Sequence, residues 1–343
     1  MIIRSKAPLR IGLAGGGTDL SPYCDQFGGV VLNATINMFA YCMIETNASN
    51  FITINAKEIQ DKQQINLNEK IAIDSVKKTL KLHVGVYNKV LKMFGNLPCG
   101  FKLTTYNEAD MGSGLGGSST MIVAMLKCYV EWLKLPLGEY DIAHLAWEIE
   151  RKDLTLMGGK QDQYAATFGG FNLIQFEADD RVIVNPLRIK RWIKNELESS
   201  LVLYYTGKSR ESAKIIEQQI KSVNEDENRL EGMHQLKKAA YKMKDAVLTG
   251  DFYQFGEALQ EGWYAKKRTS DVISNPHLEE IYDAVMVSGG IAGKLSGAGG
   301  GGFFMFYVKP EMRPDVVNTL MAFKGKIVIP QFTDEGSLGW IIR

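Results

Sequence analysis

The chain has 343 residues, 45% of them hydrophobic and 23% charged, and 40 Lys and Arg against 39 Asp and Glu leave a formal net charge of +1. That is soluble globular composition, long enough for two domains or one large one. The charge balance excludes a general nucleic-acid binder and a polybasic membrane-surface protein, both of which need a cationic field.

The cysteines Cys24, Cys42, Cys99 and Cys128 have no C-x-x-C spacing, so they read as free thiols in a reducing cytosol. No apolar run approaches the roughly 20 residues that span a bilayer. The short stretch after Arg10 is glycine-rich and stopped by Asp19, a poor signal peptide, so a cytoplasmic location is expected.

Residues 1–56 are dense in β-branched and aromatic residues broken by Gly15-Gly16-Gly17 and Gly28-Gly29, which predicts strands with one short helix between the turns. Val76, Leu80, Val84, Tyr87 and Leu91 recur at helical spacing, and Phe101 to Tyr106 alternates as a strand. After the glycine run of residues 112–117 comes an amphipathic helix carrying Ile122, Leu126, Tyr129 and Leu133, then a second from about Tyr140 to Arg151. Strands are expected at Phe171 to Phe176 and Val182 to Val184, with a domain boundary near residue 185. Beyond it the pattern predicts a strand at Leu201 to Tyr205 and helices over most of 210–288. Strands at Lys294-Leu295, Phe303 to Val308 and Lys326 to Ile329, with a helix near 313–323, complete an α+β second half, 186–343.

Three glycine-rich segments demand a backbone explanation: residues 12–19, 112–119 and 297–302. The middle one satisfies G-x-G-x-x-G between a strand and a helix, but no βαβ crossover or acidic-tipped strand follows it, which argues against a dinucleotide fold. Gly207-Lys208-Ser209 ends like a Walker A loop, yet its first glycine position holds Val202, so a P-loop is rejected. What survives is a phosphate cradle at a helix start, where free N–H groups and the helix dipole bind polyphosphate without a lysine. Ser118 and Ser119 offer hydroxyls there to a phosphate-bound Mg²⁺. Glu148, Glu150, Asp153 and Asp162 are candidates for the carboxylates that phosphoryl transfer requires, one for the metal and one for an alcohol. Lys208 and Arg210 stand where a strand turns into a helix and suit a substrate phosphate. The Lys266-Lys267-Arg268 run could face a sugar phosphate, but a charge run is more often a solvated helix face, and the four histidines are dispersed without a metal pair.

Together these segments resemble the GHMP kinases, the superfamily of galactokinase, homoserine kinase, mevalonate kinase and phosphomevalonate kinase. Ala7 to Asp19 is similar to its first motif, Gly112 to Thr120 to its phosphate loop, and Gly293 to Gly302 to its third, in family order. The resemblance implies two domains, the first like domain 2 of ribosomal protein S5 and the second a ferredoxin-like α+β domain, with the active site between them. It implies ATP at Gly112, Gly114, Leu115, Gly116, Gly117, Ser118 and Ser119, and Mg²⁺ on Ser118 and Glu150. It also implies Asp162 as catalytic aspartate with Arg10 beside it. The acceptor would lie against Gly17, Thr18, Asp19, Lys294, Gly297 and Gly299, with Asp19 on a sugar hydroxyl.

Galactokinases carry Glu-His where this chain has Gly16-Gly17, so the acceptor pocket should be roomier. The Gly-Gly-Gly-Thr-Asp form resembles the D-glycero-D-manno-heptose 7-phosphate kinases, which implies phosphorylation of an anomeric C1 hydroxyl on a sugar phosphate; fucokinase-like C1 kinases share the signature. A decarboxylase of the same fold is disfavoured by Gly-Thr-Asp and Glu150, and a catalytically dead homologue by the intact loop and Asp162. An NAD-dependent oxidoreductase would bind NAD in place of ATP.

Overall fold

The computed structural model describes residues 1–110, 112–207 and 212–342. The strand-rich start forms β1 (Ile2–Ala14), α1 (Tyr23–Phe27), β2 (Gly29–Thr46), β3 (Phe51–Ala56) and β4 (Asp61–Asn66). Helix α2 (Lys81–Phe94) and β5 (Phe101–Asn107) follow, then α3 (Gly117–Leu133), α4 (Glu139–Glu148) and α5 (Gln161–Phe168). Next come β6 (Phe171–Phe176), β7 (Val182–Pro186), α6 (Arg191–Ser200) and β8 (Leu201–Tyr205). Four helices continue the chain: α7 (Ser212–Glu225), α8 (Glu227–Thr249), α9 (Phe252–Thr269) and α10 (Pro276–Val287). It closes with β9 (Gly290–Leu295), β10 (Phe303–Val308), α11 (Arg313–Met321), β11 (Lys326–Val328) and β12 (Leu338–Ile342).

Among the described residues the strands form two sheets. The first runs β12-β1-β2-β5-β3-β4, with β6 also paired to β2 and β7 to β6. The length of β2 organises it: the strand pairs with β1 throughout, with β6 in its first half and with β5 in its second. Strand β12 returns from the far end of the chain to pair with β1. The second sheet, β11-β8-β10-β9, is antiparallel. No helix among the described residues is long and apolar enough to cross a membrane, and all four cysteines are free thiols.

Helix α3 is buried almost all round, because the first sheet covers one side and α2 and α4 cover others. A second core joins the two sheets. Leu9, Ile11 and Leu13 of β1 and Leu32 of β2 pack with Leu203 of β8, Met243 of α8, Leu259 of α9 and Met305 of β10. Each such side chain removed from water contributes about 1.5–3 kcal/mol, so this shared core holds the sheets in one relation and fixes the cleft between them.

Four elements escape the sequence pattern. Strand β4 is Asp-Lys-Gln-Gln-Ile-Asn, a polar edge strand held by pairing with β3. Helix α5 is short, and its apolar residues are too few for a clear period. Helix α6 and strand β12 were also absent from the sequence pattern, and the latter is stabilised by a partner more than 300 residues away.

His83 of α2 is buried beside Thr105, whose hydroxyl lies 2.8 Å from Nε2, and burial brings its pKa down to about 4. The unfolded chain binds that proton near pH 6.5, so stability is whole above this value and declines as pH falls toward 4. Urea unfolding at pH 7 and pH 5 should show wild type losing roughly 2 kcal/mol more than His83→Gln. Equal losses would refute the assignment.

Candidate active site

One guanidinium ties β1 to α5, to the phosphate loop and to the residue that precedes the third glycine run. Arg10 of β1, 3% exposed, donates through Nε and Nη2 to Asp162 Oδ1 at 2.8 and 2.6 Å. Its Nη1 donates to the Gly114 carbonyl of the phosphate loop at 2.6 Å and to Ser296 Oγ of the third segment at 3.2 Å. Gly114 has φ +85°, and a Cβ there would stand 2.4 Å from the Ser296 carbonyl oxygen, so the close approach of these loops needs glycine. Asp162 sits in the first turn of α5. Both Arg10 bonds fall on Oδ1, while Oδ2 faces Gly116, where a Cβ would lie 3.3 Å away.

Asp19 closes the start of α5. Its Oδ2 accepts the backbone N–H groups of Lys160 and Gln161 at 3.0 and 3.1 Å. Its Oδ1 accepts Gly17 N–H at 3.1 Å and Gln161 Nε2 at 3.0 Å. The carboxylate that the resemblance assigns to the acceptor therefore also caps the helix that carries Asp162.

Glu150 lies in a π-helical turn, Ile149–Asp153, that extends α4. The wider turn sends Glu150 inward while Glu148 and Asp153 pair with Lys89 at 3.0 and 3.1 Å. Glu150 Oε2 accepts Ser119 Oγ and Gln163 Nε2, each at 2.6 Å. Oε1 lies 3.5 Å from Arg151 Nη1, and Glu150 and Arg151 both line the cleft. Ser118 lines the cleft and has no hydrogen-bond partner among the described residues, whereas the hydroxyl of Ser119 is tied to Glu150 and that of Ser113 is buried without a partner.

The resulting cleft has a volume of about 260 Å³. Of the sequence candidates it brings together Arg10, Gly17, Asp19, Gly112, Gly114, Gly116, Gly117, Ser118, Ser119, Glu150, Asp162 and Gly297. Besides Glu148 and Asp153, four others are not among its lining residues. Leu115 is in the core between the sheets. Thr18 anchors its own turn, its hydroxyl accepting Val30 N–H at 2.9 Å. Lys294 donates inward to the Gly12 carbonyl at 2.8 Å, and burial, with Lys266 and Arg10 nearby, holds its pKa well below the ordinary lysine value. Gly299 packs on Ile273. Lys208 and Arg210 lie outside the described residues.

The residue that sequence reasoning misplaced is Lys266. It is 3% exposed, lines the cleft and donates to the Gly297 carbonyl, whereas Lys267 pairs with Glu279 and Arg268 donates to Gln235. The signal was present: Phe255, Leu259, Gly262, Lys266 and Thr269 form the buried stripe of α9 at helical spacing. Gln161, Gln163 and Gln219 were also passed over, because glutamine has no charge or metal preference to mark it.

Residues 81–170 match the family of GHMP kinases N terminal domains, and residues 243–318 the GHMP kinases C terminal family. The chain is 45% identical over 340 residues to the D-glycero-alpha-D-manno-heptose 7-phosphate kinase of Campylobacter jejuni, covering 99% of both chains. This protein is a member of the GHMP kinase family. The GHMP kinase also superposes with TM-score 0.84, at 47% identity and 99% coverage of each chain, on a D-glycero-D-manno-heptose 1-phosphate kinase from Bacteroides thetaiotaomicron. A more distant relative is the L-fucokinase/L-fucose-1-P guanylyltransferase of Bacteroides fragilis, 27% identical over 90% of this chain and 35% of that protein. The fold is thus the two-domain GHMP kinase fold, and the catalysis is that of an ATP-dependent kinase.

A methyl group at Gly159 would stand 1.9 Å from Asp19 Oδ2. Gly159→Ala should displace that carboxylate, loosen the start of α5 and misplace Asp162. Turnover should fall on the order of 10²-fold, the cost of an ångström's misplacement, with the circular dichroism spectrum retained. Wild-type turnover in this variant would refute the capping role.

Proposed function

We propose that this GHMP kinase transfers the γ-phosphoryl group of Mg·ATP to the anomeric C1 hydroxyl of D-glycero-D-manno-heptose 7-phosphate, giving the 1,7-bisphosphate. The observation that carries a kinase acting on an alcohol is the Asp162 carboxylate. One oxygen is fixed by Arg10, and the other faces the phosphate loop. The 45% identical relative over the full chain supports the heptose phosphate as acceptor.

The N–H groups at the start of α3, a 17-residue helix, meet the nucleotide phosphates. Ser118 Oγ and Glu150 Oε1 are hard oxygen donors lining the same cleft, and no cluster of three or more His, Cys, Asp or Glu competes for a metal among the described residues. Few protein ligands and hard oxygens suit Mg²⁺, which takes the rest of its shell from phosphates and water. When bound, the ion neutralises phosphate charge. Asp162 orients the acceptor hydroxyl and takes its proton, and Arg10 holds that carboxylate in place. Leu156 and Met157 on one side of the cleft, with Ala213 and Ile216 of α7, supply an apolar rim that limits water. The use of ATP and a soluble sugar phosphate suits the cytoplasm.

The names of these two heptose kinases put the acceptor's phosphate on different carbons, and the fucokinase relative favours an unphosphorylated sugar as a second reading. Mass spectrometry and phosphorus NMR after incubation with Mg·ATP separate them. Heptose 7-phosphate should yield a bisphosphate with a new anomeric phosphate, while heptose 1-phosphate and L-fucose remain unconverted. Asp162→Asn should lower kcat about 10²–10⁴-fold and leave nucleotide affinity near normal. Conversion of heptose 1-phosphate or fucose alone, or full turnover by Asp162→Asn, would overturn this assignment.

A further inference from the structure

The basic residues that line the cleft are Arg10, Arg151 and Lys266 among those described. Four hydrogen bonds engage Arg10 through Nε, Nη1 and Nη2, to Asp162, Gly114 and Ser296. Arg151 grips the 156–159 loop through the carbonyls of Leu156, Met157 and Gly159. Lys266 differs from both. Its ammonium is buried, its one hydrogen bond goes to the neutral Gly297 carbonyl, and it forms no ion pair among the described residues. Two of its three N–H donors have no acceptor among the described residues. A buried cation with no carboxylate in hydrogen-bond contact is costly, and such sites persist where an anion completes them.

The place of that anion follows from the neighbours. Gly297 abuts the phosphate loop, since a Cβ on it would lie 2.8 Å from Gly114 Cα. Asp162 and Asp19 attract Lys266, Arg10 opposes it, and Lys294 stands close enough to interact. The ammonium therefore lines the same cleft as Asp162 and the phosphate loop, on the carbonyl of a glycine that abuts that loop.

We propose that the Lys266 ammonium is a further catalytic contact of this kinase, donating to a non-bridging oxygen of the phosphoryl group while it is transferred. The proposal rests on the phosphoryl-transfer function given above. In that step a bond forms between the acceptor oxygen and the γ-phosphorus, and the bond from that phosphorus to the bridging oxygen breaks with its electron pair left on ADP. The hydroxyl proton goes to Asp162. Lys266 exchanges no proton; its charge meets the negative charge spread over the equatorial oxygens. Burial, opposed by Asp19 and Asp162 and aided by Arg10, lowers its pKa to about 8 in the free enzyme, so the charged form that the role requires is lost as pH rises through that value.

Lys266→Met tests this, measured on whichever sugar the wild-type enzyme phosphorylates, so that failure of the heptose assignment leaves the test intact. The variant should lose kcat on the order of 10²–10³-fold, as on removal of an oxyanion donor. Its Kd for a non-hydrolysable ATP analogue and its acceptor KM should stay within about threefold. Wild-type kcat/KM should decline above about pH 8, the decline should vanish in Lys266→Met, and Lys266→Arg should move it beyond pH 10. Unchanged kcat, or a decline that persists in Lys266→Met, overturns the proposal. So does a loss confined to the KM of phosphorylated acceptors, which would place Lys266 on the acceptor's own phosphate. If neither variant folds, the wild-type profile decides: kcat/KM flat from pH 7 to 9.5 is the overturning result.

Discussion

The Arg10 guanidinium is the constraint on which the site depends. It stands on the central sheet, and its bonds reach α5, the phosphate loop and the third glycine segment. These parts come from residues 10, 114, 162 and 296, so the geometry of the cleft is set by contacts that close very long loops. Arginine suits this position because its planar fork engages several acceptors at once, which a lysine cannot reproduce. The shared core of Leu9, Ile11 and Met305 beneath it keeps the two sheets from shifting relative to that hub.

Charge in the cleft is arranged around this pair. Asp19 caps α5 from one side, and Glu150 is turned inward by a π-helical turn and steadied by Ser119 and Gln163. Each carboxylate has donors that fix its direction, and each leaves the neighbouring phosphate loop open. Lys266 supplies positive charge where the loop contains none of its own. Backbone N–H groups and a helix dipole at such a loop suit a polyphosphate, because they position an anion without changing partners during a reaction.

Much of this was legible in the residues. The glycine runs marked the loops because a glycine kept at an element's edge implies a backbone requirement, and the stripes of α2 and α3 marked their buried faces. Arg10, Glu150 and Asp162 were reached through motif resemblance, and the structure brings all three to one cleft. Other features depend on tertiary partners that no local pattern displays: the polar edge strand β4, the returning strand β12, and the capping bonds of Asp19. Lys266 was hidden by its company, since a run of three basic residues suggests solvent although its first member falls on the apolar stripe. Thr18 and Lys294 also have backbone partners that the motif does not display, Val30 N–H for the Thr18 hydroxyl and the Gly12 carbonyl for Lys294.

The central claim is that Arg10 serves catalysis by orienting Asp162, and a double-mutant cycle on turnover tests it most directly. Arg10→Lys keeps the charge and removes the fork; it should lower kcat on the order of 10²-fold in the wild-type background. With Asp162→Asn already in place there is no base left to orient, and the same change should cost less than about threefold. An equal cost in both backgrounds would contradict the claim.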